Sequence, residues 1–501
     1  MTATKAWMST INTKTMGLGF LIVISILFIG LRFVNIEADF PSNLTFSSAL
    51  YTDEGWHLSA AINYFVTGDW YIEGDFNPAV NLPIGHFIQA MTFRIFGMSL
   101  ASARSTVVVC FTLTVCFVFL LAAKYVDSVA AIFAIFFLSV NFFTFAYSRL
   151  AILEILMLAL VLLAIWLASL STQKLPFIVV SLSSILLVIA TLTKTTAISA
   201  LPALLYLSSQ RGKTRQHKVL WAALSATIFI VILFSYNSIA SQTYTDDFLY
   251  FKNLTLAERL SPSFLRIIKN FLLGIVQARR IEPFVYLFTV LSNLFLLLYS
   301  NFFRKNILVH ISLLWMLAYF GVLSVTAYHP SRYFVPLIVP VSFLFGTAMS
   351  LSKCHLNKQA SFFIQCLICS FILVSNGYKI INHISLPQFT FREMAEDVQQ
   401  VMATQSSAKN TPILLGNLAN SISLATGIQS VNTDLSIQPI SWKIQTYNPQ
   451  FYISLGHEPE VVDVLRQTYQ LQKISEWDVF DNFYKNKAVY LFKLNHKDGV
   501  D

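Results

Sequence analysis

The sequence predicts a polytopic α-helical membrane protein with about eleven transmembrane helices and a C-terminal soluble α/β domain. Three observations carry that reading. Apolar residues make up 55% of the 501 and charged residues only 12%. The mean hydropathy is +0.63. Apolar runs of about 20 residues, the length that crosses a hydrocarbon core, recur through the first three quarters of the chain. A soluble chain of this length needs roughly twice this charge on its surface. The basic excess, 34 Lys and Arg against 25 Asp and Glu for a net charge of +9, is scattered in short clusters between apolar runs. It forms no single stripe, so it reads as a topology signal and argues against nucleic-acid binding. Cys110, Cys116, Cys354, Cys366 and Cys369 fall in or beside apolar segments without metal-ligand spacing, so no cysteine chemistry is expected.

Taken in order, the spans fall near 17–35, 100–123, 128–146, 150–170, 176–193, 195–208, 219–239, 283–300, 306–327, 333–350 and 361–379. The first lacks a small-residue cleavage site and runs into an acidic loop, so it is expected to remain as an anchor. Lys5 and Lys14, Lys124, Lys174, the basic run 211–218, Arg304 with Lys305, and Lys353 with Lys358 occupy every second connection. The positive-inside rule makes those connections cytoplasmic. The opposite side then receives the loop 36–99, the turns near 147–149, 194 and 328–332, the loop 240–282 and the C-terminus. Within the first outer loop, 54–66 and 84–96 have helical apolar spacing but polar edges, which suits helices lying along the interface. Phe264 to Arg279 is a second interfacial candidate, its arginines and lysine read as snorkelling to lipid phosphate. Residues 1–380 thus form the membrane domain. Residues 381–501 form the extracytoplasmic α/β domain, with strands expected at Pro412–Leu415, Phe451–Leu455 and Ala488–Leu494 and helices at Phe391–Thr404 and Glu458–Tyr469.

Ionisable residues at the edges of spans are costly and call for a reason. Four groups stand out on the outer side. Asp53 and Glu54 are adjacent acids after the first span, able to serve as general base and orienting acid or to hold a metal. Thr52-Asp53-Glu54 is equally a good helix start, with its acids on the positive end of the dipole. Arg149 precedes Glu154, which sits one turn inside an apolar span; the two also suit a structural pair. Lys194 interrupts some 30 apolar residues and suits a point cation facing phosphate. His329, Arg332 and Tyr333 bring a fork of donors matched to phosphate oxygens, or a plain cationic turn.

Four stretches in this order resemble the GT-C glycosyltransferases, in particular the dolichyl-phosphate-mannose protein mannosyltransferases and the aminoarabinose lipid A transferase. They are Asp53-Glu54-Gly55-Trp56 with Gly68-Asp69-Trp70; Asn77-Pro78 through Pro83-Ile84-Gly85-His86-Phe87, with Phe96-Gly97 and Arg104; Ser148-Arg149 with Glu154 and Leu192-Thr193-Lys194; and His329 with Arg332-Tyr333, Pro336 and Pro340. The resemblance covers roughly residues 15–350. It implies a GT-C fold and inverting transfer of a sugar from a polyprenyl-phosphate donor to a lipid, glycan or protein acceptor at the outer face of a bacterial inner membrane or its equivalent. It assigns Asp53, Glu54 and Glu154 to the catalytic acids, and Lys194, Arg332, Arg149 and Tyr333 to the donor phosphate. This chain reads Asn81-Leu82-Pro83 where relatives carry a lysine or histidine. Asn81, His86 one turn later, and His329 are therefore accessory candidates. No cofactor is demanded, although a divalent cation is compatible with the acids.

Two other readings compete. A polyprenyl-lipid transporter or flippase also places ionisable residues and broken helices at membrane depth, but here the charges gather on one face and no two halves match. A non-catalytic lipid-binding relative is at odds with the presence of both Asp53 and Glu54. An oligosaccharyltransferase shares the scaffold but calls for a Trp-Trp-Asp signature that the C-terminal part lacks.

Overall fold

The computed structural model describes residues 13–41, 44, 49–170, 175–256, 263–326, 329–406, 412–456, 458–480 and 488–497. Lys5 and Lys174 lie outside them. Among these residues seven segments are long and apolar enough to cross a bilayer: Met16–Phe33, Leu100–Tyr125, Pro176–Thr193, Arg215–Thr243, Ile307–Ser324, Ser331–Ser352 and the stretch beginning at Gln359. Four shorter apolar helices, Ser128–Val140, Leu153–Ser169, Thr195–Ser209 and Pro283–Tyr299, complete the eleven. Phenylalanine, leucine, isoleucine and alanine from these helices make one continuous core, with Phe111, Phe136, Phe137 and Phe145 fully buried.

Several spans are broken, and at the first break side chains meet the freed backbone groups. The expected span 128–146 divides at Asn141, which ends one helix and caps the next by accepting from Thr144 N at 2.8 Å and donating to Ile281 O at 3.0 Å. The Asn376 amide oxygen accepts from Phe142 N at 2.9 Å across the same break. Lys194 is extended, at φ −155° and ψ 126°, between the Pro176–Thr193 helix and a 3-10 turn at Thr195–Ala200. A second 3-10 turn, Ser331–Leu337, opens the Ile338–His355 helix. Irregular backbone at this depth is tolerated where it is buried in protein or lines a cavity.

The outer segments expected to lie along the interface are helices, Ala49–Thr67, Pro83–Phe96 and Phe264–Gln277. The Phe264–Gln277 helix exposes Phe264, Leu265 and Leu272 while Asn270 and Gly274 pack inward. Beyond the Thr390–Gln405 helix the chain forms a five-stranded sheet of β1 (Leu414–Gly416), β2 (Ser430–Val431), β3 (Phe451–Leu455), β4 (Tyr469–Trp477) and β5 (Val489–His496). The order is β2-β1-β3-β5-β4, parallel where β1 meets β2 and β3, antiparallel thereafter. Expected strands and helices near 412–415, 451–455, 488–494, 391–404 and 458–469 are all present. β4 was not expected: it is an edge strand of polar alternating residues beginning where the Pro459–Thr468 helix ends.

Contacts at Asp39, Gly55 and Asp75 are among those that seat this C-terminal part on residues 36–99. Asp39 accepts from Thr390 N at 2.9 Å, Thr390 Oγ1 at 2.6 Å and Phe391 N at 3.2 Å, capping the Thr390–Gln405 helix from across the chain. At Gly55 the Ala49–Thr67 helix meets the Ala419–Thr426 helix so closely that an added Cβ would stand 2.3 Å from Ser421 N. Asp75 forms a buried ion pair with Lys443, which is 0% exposed. The same two residues hold Asn432 by both backbone groups, Lys443 Nζ donating to its carbonyl at 2.7 Å and Asp75 accepting from its N–H at 3.1 Å.

Removing one partner of a buried pair strands the other charge. Lys443→Met is therefore expected to destabilise the chain by about 3–5 kcal/mol, and Asp75→Asn with Lys443→Met by much less. Denaturant melts of the two variants in detergent check this. A second, partly buried cluster has a pH signature. Glu458 accepts from Tyr452 Oη at 2.8 Å and Ser454 Oγ at 3.2 Å. Burial raises both its carboxyl and that of Asp434 above their usual range. Their protons then stabilise the folded state fully below the ordinary carboxylate range, and that stability is lost as pH rises through the raised folded values. Glu458→Gln is expected to melt higher than wild type at about pH 8, with the difference shrinking toward about pH 5.

Candidate active site

A cavity of about 600 Å³ opens where the Pro176–Thr193 and Ile307–Ser324 helices end. Thr52, Asp53, Trp56 and His57 line it from the Ala49–Thr67 helix, Lys194 and Arg332 from the two helix breaks, and Asn417, Asn432 and Asp434 from the C-terminal part. Asp53 pairs with the Arg332 guanidinium, the two side chains 9% and 10% exposed. Lys194 pairs with Glu154, whose side chain is 1% exposed in the first turn of the Leu153–Ser169 helix. Tyr333 offers its ring to both cations, 5.9 Å from Lys194 Nζ and 5.5 Å from the Arg332 guanidinium carbon. Its carbonyl accepts from Tyr319. Both cations therefore sit in low-dielectric surroundings with an acid beside them, where fixed charge acts strongly on a bound anion.

Of the residues expected from sequence, Asp53, Lys194, Arg332 and Tyr333 line the cavity, and Glu154 stands directly behind Lys194. The others lie elsewhere. Glu54 follows Asp53 by about 100° around the helix and faces the protein. Its carboxylate receives a forked contact from Arg104, at 2.8 and 2.6 Å, and a third bond from Ala151 N at 2.7 Å. Arg104 also donates to Ile36 O and Ala38 O, each at 2.9 Å. Arg149 is spent on backbone: it donates to Val34 O at 2.8 Å and to Asn35 O, and stacks over Phe145. His329 bonds Leu323 O through Nε2 at 2.8 Å, and its own carbonyl accepts from Arg280. Asn81 ends the short Pro78–Val80 turn, and His86 is 0% exposed within the Pro83–Phe96 helix. Burial pushes the His86 imidazole down to about 3.

Sequence reasoning missed His57, Trp56 and the C-terminal lining residues Asn417, Asn432 and Asp434. His57 carried a signal, since it follows Asp53 by four residues and so shares its helix face. The C-terminal lining carried none, because it reaches the cavity through contacts between residues far apart in sequence, such as Asp75 with Lys443 and Phe76 N with Leu435 O. Among the described residues no three His, Cys, Asp or Glu side chains converge on a point that suits a metal ion. The residues do not fit a preformed metal centre, and no step below is routed through one.

Residues 78–239 match the sequence profile of the dolichyl-phosphate-mannose-protein mannosyltransferase family. No curated protein matches the chain by sequence. The crystal structure of ArnT from Cupriavidus metallidurans bound to undecaprenyl phosphate aligns over 94% of this chain and 98% of its own, with a TM-score of 0.62 at 14% identity. The archaeal oligosaccharyltransferase AglB from Archaeoglobus fulgidus, in complex with an inhibitory peptide and a dolichol-phosphate, aligns over 96% of this chain and 75% of its own, with a TM-score of 0.54 at 12% identity. The protein is thus an integral membrane protein of the GT-C glycosyltransferase fold, resembling the protein mannosyltransferases in residues 78–239 and ArnT over nearly its whole length.

Proposed function

We propose that the chain is an inverting glycosyltransferase that moves a sugar from a polyprenyl-phosphate-linked donor to a hydroxyl or phosphate of a lipid, glycan or protein acceptor. The observation that carries this reading is the meeting of Asp53 with two fixed cations, Lys194 and Arg332, in one cavity at the ends of membrane helices. The presence of undecaprenyl phosphate in ArnT and dolichol-phosphate in AglB supports a lipid phosphate as the anion. The positive-inside pattern puts the cavity and the C-terminal unit from residue 381 on the extracytoplasmic side.

For a hydroxyl acceptor the reaction follows from these positions. Its oxygen attacks the anomeric carbon from the face opposite the phosphate, and Asp53 takes the hydroxyl proton. The carbon–oxygen bond to phosphate breaks with its electron pair going to the polyprenyl phosphate. Lys194 and Arg332 stabilise the charge growing there. Glu154 holds the Lys194 ammonium in place, and Tyr333 holds both cations against one aromatic face. Glu54, Arg149 and His329 serve as positioning residues: they fix the helix and turns from which the reacting groups project.

The test is release of free polyprenyl phosphate by the full chain in nanodiscs, supplied with a panel of polyprenyl-phosphate sugars and a membrane extract as acceptor. Asp53→Asn is expected to lower turnover per folded molecule by about 10²–10⁴-fold, and Lys194→Met by about 10²–10³-fold, each with a lowered melting temperature because one charge of a buried pair is stranded. A wild type as silent as Asp53→Asn on a panel that ArnT consumes sinks the transferase reading. Glu54→Gln has a different expected outcome. It removes a charged partner of Arg104, so the melting temperature falls while turnover per folded molecule stays within about tenfold of wild type. Loss of turnover at full stability would instead return Glu54 to the catalytic group.

A further inference from the structure

His57 takes no part in the ion pairs that organise the cavity. It lies one helical turn after Asp53, so the two share a face of the Ala49–Thr67 helix, and both line the cavity. His57 is 5% exposed, and among the described residues neither ring nitrogen has a hydrogen-bond partner. Its close ring contact is Trp56, with centroids 4.4 Å apart. Buried polar atoms left unmet by the protein are rare and costly; both nitrogens are closed to the cavity in this ring orientation, and a half-turn of the ring, which exchanges its nitrogen and carbon edges, is what presents one of them to a ligand.

The charge state narrows the ligand chemistry. Burial, the Lys194 ammonium and His86 all hold the His57 imidazole well below its ordinary range, so it is neutral at physiological pH. A neutral imidazole offers one N–H donor and one lone-pair acceptor. An ionised phosphate only accepts and an ammonium only donates, so each leaves half of the ring's capacity unused. A hydroxyl both donates and accepts, and meets either tautomer. The phosphate, moreover, already has its cations in Lys194 and Arg332. His86 is buried in the same way but does not reach the cavity lining, which leaves His57 as the imidazole beside the substrate space.

We propose that His57 is a substrate-contact residue that hydrogen-bonds a carbohydrate or acceptor hydroxyl one helical turn from Asp53, and so helps to set which sugar or acceptor is used. This rests on the glycosyl-transfer reading above. The hydroxyl has two sources, a ring hydroxyl of the transferred sugar or the attacking hydroxyl of the acceptor.

Wild type, His57→Phe and His57→Gln are compared as full chains in nanodiscs. The readouts are melting temperature, affinity for undecaprenyl-phosphate mannose and the other sugar lipids of the panel against bare undecaprenyl phosphate, and steady-state kinetics. His57→Phe keeps ring volume and removes both polar atoms; His57→Gln keeps a donor and an acceptor. The expected result is an unchanged melting temperature and unchanged affinity for bare undecaprenyl phosphate. His57→Phe loses about 10- to 100-fold in kcat/KM, and His57→Gln recovers part of it. If the hydroxyl is the sugar's, His57→Phe also loses the preference for the sugar-bearing lipid over the bare one. If it is the acceptor's, donor binding is unchanged and the acceptor KM rises. Wild-type kinetics and binding in His57→Phe overturn the proposal, as does an equal loss in both variants with a lowered melting temperature, which marks a structural side chain. A wild type that binds the sugar lipid without consuming it, and loses that binding on His57→Phe, ends the transferase reading and leaves the contact standing. A wild type that neither consumes nor prefers any sugar lipid ends both.

Discussion

The forked contact of Arg104 on Glu54 is the constraint on which the site depends. A guanidinium and a carboxylate this deeply buried are each expensive alone, and together they repay the cost only when the remaining donors and lone pairs are also met. Here they are. Arg104 spends its other N–H groups on Ile36 O and Ala38 O, and Glu54 takes the Ala151 N–H as its third bond. Four chain segments remote in sequence meet at this pair: the end of the first span, the Ala49–Thr67 helix, the start of the Leu100–Tyr125 helix and the turn before Leu153. Asp53 precedes Glu54 in the chain, so whatever holds Glu54 also sets the direction of Asp53. The two acids divide the work because successive helical residues diverge by about 100°.

The cations owe their positions to interrupted helices. A lysine in the middle of a regular span would point at lipid or at a neighbouring helix. Lys194 instead stands at an extended residue between a helix and a 3-10 turn, and Arg332 in a 3-10 turn ahead of a helix. At both places the chain direction changes, which turns a side chain toward a cavity. Glu154 and Asp53 provide the countercharge that makes a cation tolerable at this depth. Charge and fold are coupled here, because both cations project from breaks whose irregular backbone is buried or lines the cavity.

Much of this was legible in the sequence. Spans are read from length and apolarity, which the bilayer imposes without reference to neighbours, and Pro176–Thr193 begins and ends where a proline and a lysine say it should. Asp53, Lys194 and Arg332 were legible because a charge among apolar residues is conspicuous. Directions were not. Arg149 looked like a phosphate ligand until its guanidinium is seen to be consumed by Val34 O and Asn35 O, and no periodicity survives a break in a helix to indicate which way the next side chain points. Glu54 looked catalytic because its partner Arg104 is 50 residues away. β4 was hidden because its alternation, Tyr469 and Leu471 with Gln470 and Gln472, is short and lost at Lys473, where the ladder is irregular. His57 was overlooked among apolar neighbours, although its spacing from Asp53 was in plain view.

The wall contributed by the C-terminal part was illegible for a different reason, and its origin bears on how such a site changes. Asn432 and Asp434 sit on a short turn after β2 that owes its place to Lys443 and Asp75, one from each side of the contact. Asn432 Oδ1 in turn accepts from Asp434 N at 2.7 Å, so the turn is rigid from the ion pair to the cavity. Lys194, Arg332 and Glu154, by contrast, project from membrane helices and their breaks, and Asp53 from the Ala49–Thr67 helix. A cavity assembled in this way can change the surface it offers to a substrate through the turn at 432–434 while the ion pairs on the membrane side stay as they are. The ion-paired wall of the cavity and the wall from the C-terminal part then rest on separate elements, joined through residues 36–99.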